Sequence, residues 1–410
     1  MKKLLFIMNT MGQAGAETAL VELLHKLDST GEYDLSLYTI IPCGELFRRV
    51  PKRVHILNKH ICRSSVLSFP GHLWIAGSVL YSFLYRLTGF RMLGYMVRNI
   101  KEQKASGRKL QYDKLLWRLL ATGRPGRKEP YDLAVAYIEG AATYYLSDQV
   151  KASHKAAFVH IDYPNAGYTP RMDRDCYRGM EKIFVVSNEV GERFCEVYPQ
   201  YRDKVRLFRN LLDREGILRK AESGNGFTDG FDGIRLVTVG RLHYQKGYDI
   251  AIEALAKLRQ DGYSVRWYVI GEGMERRNLE MLIKKYQVEE NFILMGARDN
   301  PYPYMKQADI YVHATRFEGK SIAIEEAQIL GKVIVASDCT GNREQIESGY
   351  DGLLLTLDIE NLVRELERIL DDPELRKDYA EHVLEKKMDF PADLESMLAL
   401  LDEGSEHCKA

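Results

Sequence analysis

The chain has 410 residues, with 58 Lys or Arg balanced by 58 Asp or Glu. That length exceeds one ordinary hydrophobic core and predicts two domains; the 45% hydrophobic and 28% charged fractions are those of a soluble globular protein. The six cysteines Cys43, Cys62, Cys176, Cys195, Cys339 and Cys408 form no Cys-x-x-Cys pair, which excludes a zinc finger or a disulfide framework and fits a reducing cytosol.

Met1 to Lys3 followed by Leu4 to Met8 mimics the start of a signal peptide. Its apolar run is short and ends at Asn9 and Thr10, so a first buried strand is expected. The loop Asn9 to Gly15 and a helix Ala16 to Leu27 follow, with Leu20, Leu23, Leu24 and Leu27 at helical spacing. Leu35 to Ile41 predicts a second strand. Residues of about 60 to 130 break the alternation and predict a helical insertion. Ser65 to Tyr85 carries no Lys, Arg, Asp or Glu, but Pro70, Gly71, His72 and Gly77 argue against a membrane span. Trp74, Leu80, Phe83 and Leu84 suit an amphipathic element. The ordinary expectation is a helix packed on its own domain; a peripheral membrane contact or an acceptor groove are the alternatives. From Arg86 to Glu129, twelve Lys or Arg face three Asp or Glu. Such a block is usually a solvated helical face, and it also suits an anionic polymer or lipid surface.

Strands are predicted again at Leu133 to Tyr137, Ala156 to His160 and Ile183 to Ser187. Glu222 to Gly233, with four glycines, has the composition of a domain boundary. Beyond it strands and helices alternate: strand Ile234 to Val239, helix Tyr248 to Arg259, strand Ser264 to Ile270 and helix Glu275 to Tyr286. Strands Asn291 to Leu294, Ile310 to His313 and Val333 to Ser337 come next, then a last helix near Pro391 to Leu401. This alternation predicts a doubly wound parallel sheet that binds ligands at the carboxyl ends of its strands.

Two clusters could carry chemistry. In Val239 to Gly247, Gly240 and Gly247 permit close backbone approach, and Arg241 and Lys246 place cations after a strand. A diphosphate could be held there without a metal; the plain alternative is a turn with two surface cations. In Phe317 to Ala327, Glu318 follows a strand, Gly319 to Ser321 turn, and a helix starts near Ile322, its first amides facing an anion. Glu326, eight residues past Glu318, could grip a second hydroxyl-bearing group, although a Glu pair alone is most often an acidic helix surface.

Gly-Arg-Leu-x-x-x-Lys-Gly and, some 70 residues later, Glu-x7-Glu resemble the retaining family-4 glycosyltransferases of the GT-B fold (glycosyltransferases group 1). Gly15-Ala16-Glu17, Phe158-Val159-His160, Ser187 to Val190, Asn210 to Asp213, and Glu344 to Leu354 are similar to further segments of that family. The resemblance thins over residues 45 to 130. It implies an α/β chain of two Rossmann-like doubly wound domains facing a central cleft. The first, acceptor-binding domain would span 1–215 with the insertion and a C-terminal helix of about 390–410 packing back; the second, 216–389, would bind the nucleotide sugar. It also implies that Arg241 and Lys246 neutralise the leaving diphosphate, Glu318 contacts the transferred sugar, and Glu326 binds the ribose. The amides of Lys320, Ser321 and Ile322 would hold the distal phosphate. Gly15 and Gly240 would permit close approach, His160 would lie beside the sugar, Gly271 would edge the nucleotide, and Arg298, Asn300 and Pro301 would flank the base.

The activity so implied is retaining, metal-independent transfer from a nucleotide diphosphate sugar, with a UDP-sugar favoured. The acceptor would be a glycan, glycolipid, teichoic acid or glycoprotein. No cofactor and no nucleic acid are expected, and the place of action is the cytoplasm, at the inner face of the membrane if the insertion touches lipid. A UDP-sugar 2-epimerase of the same architecture and a non-catalytic partner subunit are the rival readings. Two positions depart from the family pattern: Ala14 replaces a glycine, and Lys320 stands where an aromatic residue is common, where it could add a cation beside the phosphates or merely face solvent. Asp173-Arg174-Asp175 spells a metal-binding Asp-x-Asp, but it lies in a polar stretch before a strand and is expected to bind none. Gly271-Glu272-Gly273 begins like a dinucleotide fingerprint, but Arg276 stands where the third glycine belongs.

Overall fold

A computed structural model describes residues 1–105, 112–209, 211–339, 341–386 and 391–402. Asn210, Arg108 and Lys109 of the basic block, Cys408, and positions 403–410 of the expected closing segment lie outside the described residues. The chain forms two compact units, Met1–Leu211 with Asp389–Ala410, and Leu212–Met388.

In the first unit β1 (Lys2–Met8), β2 (Tyr33–Thr39), β3 (His55–Ile56), β4 (Arg127–Ala136), β5 (Val150–Val159), β6 (Lys182–Val185) and β7 (Val205–Leu207) form one sheet. Its order is β3-β2-β1-β4-β5-β6-β7, and every pairing is parallel. A sheet built by helical crossovers is covered on both faces, so its strands bury both sets of side chains. Leu4 to Met8 are accordingly all buried. The helix Gly15–Thr30 turns Leu20, Leu23, Leu24 and Leu27 inward and stops at Gly31, whose φ of 69° is left-handed. The closing helix Pro391–Leu398 packs on this unit. There the Asp393 carboxylate accepts from the Arg209 amide at 2.9 Å, and Met397 and Leu400 are buried.

The insertion is helical, with helices at Phe69–Leu84, Thr88–Arg91, Leu93–Ala105 and Tyr112–Thr122. Its basic block is not one solvated face. Arg118 is buried on the Tyr144 ring and pairs with Asp148 at 2.8 Å, and Arg124 lies over Tyr81. Tyrosine faces give both guanidinium groups a partner inside the unit. The stretch around Asp173 is equally unlike its polar appearance. Asp173 is fully buried and accepts from the hydroxyls of Tyr144 at 2.5 Å, Tyr163 at 2.7 Å and Tyr198 at 2.5 Å. Its carboxylate is saturated by an aromatic core.

In the second unit β8 (Ile234–Val239), β9 (Val265–Ile270), β10 (Phe292–Gly296), β11 (Ile310–His313), β12 (Val333–Ser337) and β13 (Leu353–Leu355) pair in the order β10-β9-β8-β11-β12-β13. All pairings are again parallel. Three strands are tied internally: the Trp267 indole donates to Thr238 at 2.9 Å, and Thr238 to the Val312 carbonyl at 2.6 Å. The strand order reverses between β8 and β11, which leaves a crevice beyond their carboxyl ends. The glycine-rich run 222–233 is no boundary; the chain changes unit near Leu211. Phe227 packs in the second core, and Asp229 binds Arg235 at 3.0 Å and Arg266 at 3.2 Å. One phenylalanine and one buttressed carboxylate thus anchor a segment whose composition alone reads as loose.

Candidate functional site

The loops that follow β8 and β11 are stitched together. The Arg316 amide donates to the Gln245 carbonyl at 2.7 Å, and the Gln245 side chain donates to the Phe317 carbonyl at 2.7 Å. Arg316 also grips Asp249 through both carboxylate oxygens, at 2.6 and 2.9 Å, and stacks on Tyr244. Gly247 closes the first loop with φ 61°, and a Cβ there would lie 2.2 Å from the Ala314 carbonyl oxygen. Only glycine fits such a turn against a backbone. At Gly240 the tight neighbour is the Tyr248 hydroxyl, 3.1 Å from where a Cβ would sit, whereas the Lys246 Cε at 3.5 Å would make an ordinary contact. Gly271 serves closeness too, since a Cβ would fall 1.9 Å from the Gly240 oxygen.

This stitching brings Lys246 onto Glu318, where ammonium and carboxylate form a direct ion pair. His313, buried at the end of β11, stands 3.5 Å from the same carboxylate oxygen. Burial pushes the Glu318 carboxyl up, but Lys246 and then His313 outweigh it and hold the group down at about 2. Burial lowers the pKa of His313, and Lys246 lowers it further. Near neutral pH the pair is therefore an anion held by a cation, beside a neutral imidazole. Arg241 is exposed in the same loop.

Beyond Glu318, Ser321 caps the helix Ile322–Ile329, its hydroxyl accepting from the Ile324 amide at 3.4 Å. Two expectations change here. The Ser321 amide donates to the Gln345 side chain at 2.9 Å, and the Gln345 amide returns a bond to the Ser321 carbonyl at 2.8 Å. That N–H is therefore taken. Lys320 adds no loose cation, because its ammonium is buried against Glu325 at 2.6 Å. Gln345 was legible only as part of Glu344-Gln345-Ile346; nothing in the spacing reveals that it clamps a backbone 24 residues earlier.

Glu326 is buried and accepts from the Tyr302 hydroxyl at 2.8 Å. Tyr302 opens the helix after Pro301, so the glutamate and the 298–303 loop do meet. Within that loop Arg298 is exposed, whereas the Asn300 side-chain amide donates to the carbonyls of Lys220 at 2.8 Å and Ser223 at 3.1 Å. Asn300 thus holds the end of the helix Arg214–Ala221. Arg276 grips Glu272 at 2.8 and 2.9 Å, which explains an arginine where a dinucleotide fingerprint needs glycine.

The first unit has its own strand reversal, between β1 and β4. Gly15 begins the helix after β1. Asn9 donates to the Glu139 carbonyl at 3.1 Å and accepts from the Ala142 amide at 2.9 Å. The buried Glu139 carboxylate accepts from the His160 amide at 3.0 Å. Burial raises the pKa of Glu139 and depresses that of the His160 imidazole to about 4. Glu139 was missed in the sequence, where its only signal is an acid directly after an apolar strand.

Residues 231–385 match the family model of the glycosyl transferases group 1. A Campylobacter jejuni N-acetylgalactosaminyltransferase acting on a diphospho-undecaprenol acceptor is 33% identical over 178 residues, 43% of this chain and 47% of the relative. The lipopolysaccharide core biosynthesis glycosyltransferase LpsE of Rhizobium meliloti is 29% identical over 285 residues, 68% of this chain and 77% of the relative. The chain spans less than half the length of the first curated relatives it matches. The crystal structure of Anabaena HepE with UDP and glucose superposes with a TM-score of 0.65 at 17% identity, covering 100% of both chains. The fold is therefore that of the GT-B glycosyltransferases, two Rossmann-like units in one chain.

Proposed function

We propose that the chain is a retaining, metal-independent glycosyltransferase that moves a sugar from a nucleotide diphosphate, with UDP favoured, to an acceptor of envelope-polysaccharide type. That acceptor class covers glycans, glycolipids, teichoic acids and glycoproteins. The observation that carries this is the Lys246–Glu318 pair at the strand reversal, with a capped helix beginning beside it. Rupture of a glycosyl phosphate builds negative charge on the departing diphosphate and positive charge on the sugar. A fixed ammonium and helix amides answer the first charge, and an ionised glutamate answers the second. The exposed Arg241 offers the diphosphate a side-chain cation, and Lys246 would supply a second on exchanging Glu318 for phosphate, which supports a reading without a metal. Glu326, beside the 298–303 loop, suits the ribose end of a nucleoside. The names of the relatives, and UDP in the HepE complex, favour the same donor and acceptor classes.

The test is a thermal-shift screen of the purified chain against UDP, GDP, ADP and their sugars, with a chelator present. A ligand that binds only the folded state raises its melting temperature. A UDP shift in chelator, followed by acceptor-dependent release of UDP from one UDP-sugar, is the expected result. Binding that appears only with a divalent cation would overturn metal independence, and isomerised donor without any acceptor would turn the reading to an epimerase.

A further inference from the structure

The helix Phe69–Leu84 packs Trp74, Ile75 and Val79 against its own unit and carries a second apolar stripe on its outer side. On a helix of 3.6 residues per turn, positions 69, 73, 80 and 84 fall within about 60° of one another. Phe69, Leu73, Leu80 and Leu84 occupy them, exposed by 75%, 58%, 59% and 55%. The opposite side, turned to the protein, carries Gly71, Ser78 and Ser82. Close packing demands this smallness. A Cβ on Gly71 would lie 2.1 Å from the Ser65 oxygen, and one on Gly123 would lie 2.5 Å from the Ser82 Cα. Gly71, Ser78 and Ser82 thus seat the helix, Trp74, Ile75 and Val79 pack against the core beside them, and Phe69, Leu73, Leu80 and Leu84 are left facing water. The run continues through exposed Leu87, Phe90, Leu93 and Val97. A surface helix normally turns polar residues to its outer side, and an exposed apolar stripe of this kind marks an interaction site.

The charges around the face say what it meets. No Asp or Glu occurs from Ser65 to Lys101, whereas Arg86, Arg91, Arg98, Lys101 and Lys104 are all exposed. The nearest acid, Glu102, is bound to Arg171 at 2.9 Å. On the helix Leu93–Ala105, Leu93 and Val97 share a side with Lys101 and Lys104, opposite the buried Tyr95, Asn99 and Gln103. The chain turns between the two helices through Arg86 and Leu87, both left-handed at φ 49° and 58°. Two such non-glycine residues in succession are strained, and here they set a guanidinium between two stretches of exposed leucine.

We infer that this surface docks on an anionic lipid bilayer, with Phe69–Leu84 lying in the plane of the interface. The exposed leucines and phenylalanines enter the acyl boundary, and the arginines and lysines reach the phosphate head groups. The sixteen-residue helix is about 24 Å long, short of the roughly 30 Å hydrocarbon core. No helix among the described residues is long and apolar enough to cross a membrane. The helix lies on the bilayer rather than through it.

This inference does not rest on the transfer activity, and its test reads binding alone. The purified full-length chain is co-sedimented with phosphatidylcholine vesicles and with vesicles that also contain phosphatidylglycerol. It is expected to bind the anionic vesicles, and to bind less as salt rises. Leu80→Glu/Leu84→Glu and, separately, Leu93→Glu/Val97→Glu should each weaken binding about tenfold or more, with the melting temperature unchanged because all four side chains are exposed. Arg91→Gln/Lys101→Gln should remove the preference for anionic lipid. Failure of the unaltered chain to bind overturns the inference. So does loss through the basic substitutions alone, which would assign the surface to a soluble polyanion. Conversion of a dimer to a monomer by the leucine substitutions, with vesicle binding unchanged, would give the face to a second copy of the chain.

Discussion

Lys246 and Glu318, 72 residues apart in sequence, form an ion pair whose two side chains are 14% and 16% exposed. A charge so enclosed depends on its partner, because removing one member strands the other. Lys246→Ala should therefore cost stability as well as chemistry. Turnover should fall by a factor on the order of 10² to 10³, as for the loss of one preorganised donor worth about 3 kcal/mol. Adding Glu318→Gln removes the stranded charge. The double variant should recover most of the lost melting temperature and none of the activity. Parallel denaturation and turnover measurements on the three variants check this, and an activity that recovers along with stability would show the pair to be structural only.

Two acid-sensitive windows follow from the buried groups. The folded chain resists protonating His160, whose pKa falls from 6.5 to about 4, while the unfolded chain accepts that proton near 6.5. More protons are bound in the unfolded state across that interval, so stability present above pH 6.5 should decline as pH falls toward 4. His313 is shifted in the same direction. Glu318, lowered from 4.5 to about 2, adds a second loss as pH falls from 4.5 to about 2. Urea unfolding across this pH series should show a flatter upper window in His160→Asn and a flatter lower window in Lys246→Ala.

Gln345 offers a sharper probe of how the helix at Ile322 is placed. Its side chain satisfies both the amide and the carbonyl of Ser321, so Gln345→Ala leaves two buried backbone groups without partners. The expected cost is about 2 to 6 kcal/mol, from roughly 1 to 3 kcal/mol for each of the two unsatisfied groups. UDP affinity should fall with it, because the start of the helix loses its position. Gln345→Glu, which restores an acceptor for the amide but offers the carbonyl no donor, should fall between the two. Calorimetric UDP titration beside thermal unfolding separates these outcomes.

Much of this architecture is legible because a doubly wound sheet writes itself plainly. Ile234–Val239, Ile310–His313 and Val333–Ser337 are apolar runs bounded by loop residues, and each is a strand with those bounds. What sequence cannot give is which loop residues bond across the fold. Gln345 meets Ser321, and Asn300 turns to Lys220, through contacts that no local period encodes. Composition misleads where side chains contradict it. The run 222–233 reads as a linker until Phe227 and Asp229 anchor it. Asp173 reads as polar surface until three tyrosines close around it. The helix Phe69–Leu84 has the periodicity of an amphipathic element, but periodicity does not say which face turns outward.

The contact between Tyr302 and Glu326 divides nucleoside binding from simple packing. Tyr302 donates to one oxygen of the Glu326 carboxylate at 2.8 Å, and a ribose would need the carboxylate's remaining acceptor sites. If Glu326 holds the ribose, Glu326→Gln should weaken UDP by about tenfold or more, since a hydrogen bond to a charged group is worth about 1.5 to 3 kcal/mol. Tyr302→Phe removes only the orienting donor, and should change UDP affinity by about threefold or less while lowering the melting temperature. The same variants titrated with the free base uracil should not differ, because the base carries no ribose. Equal losses for UDP in both variants would place the glutamate in the packing of the 298–303 loop and not at the nucleoside.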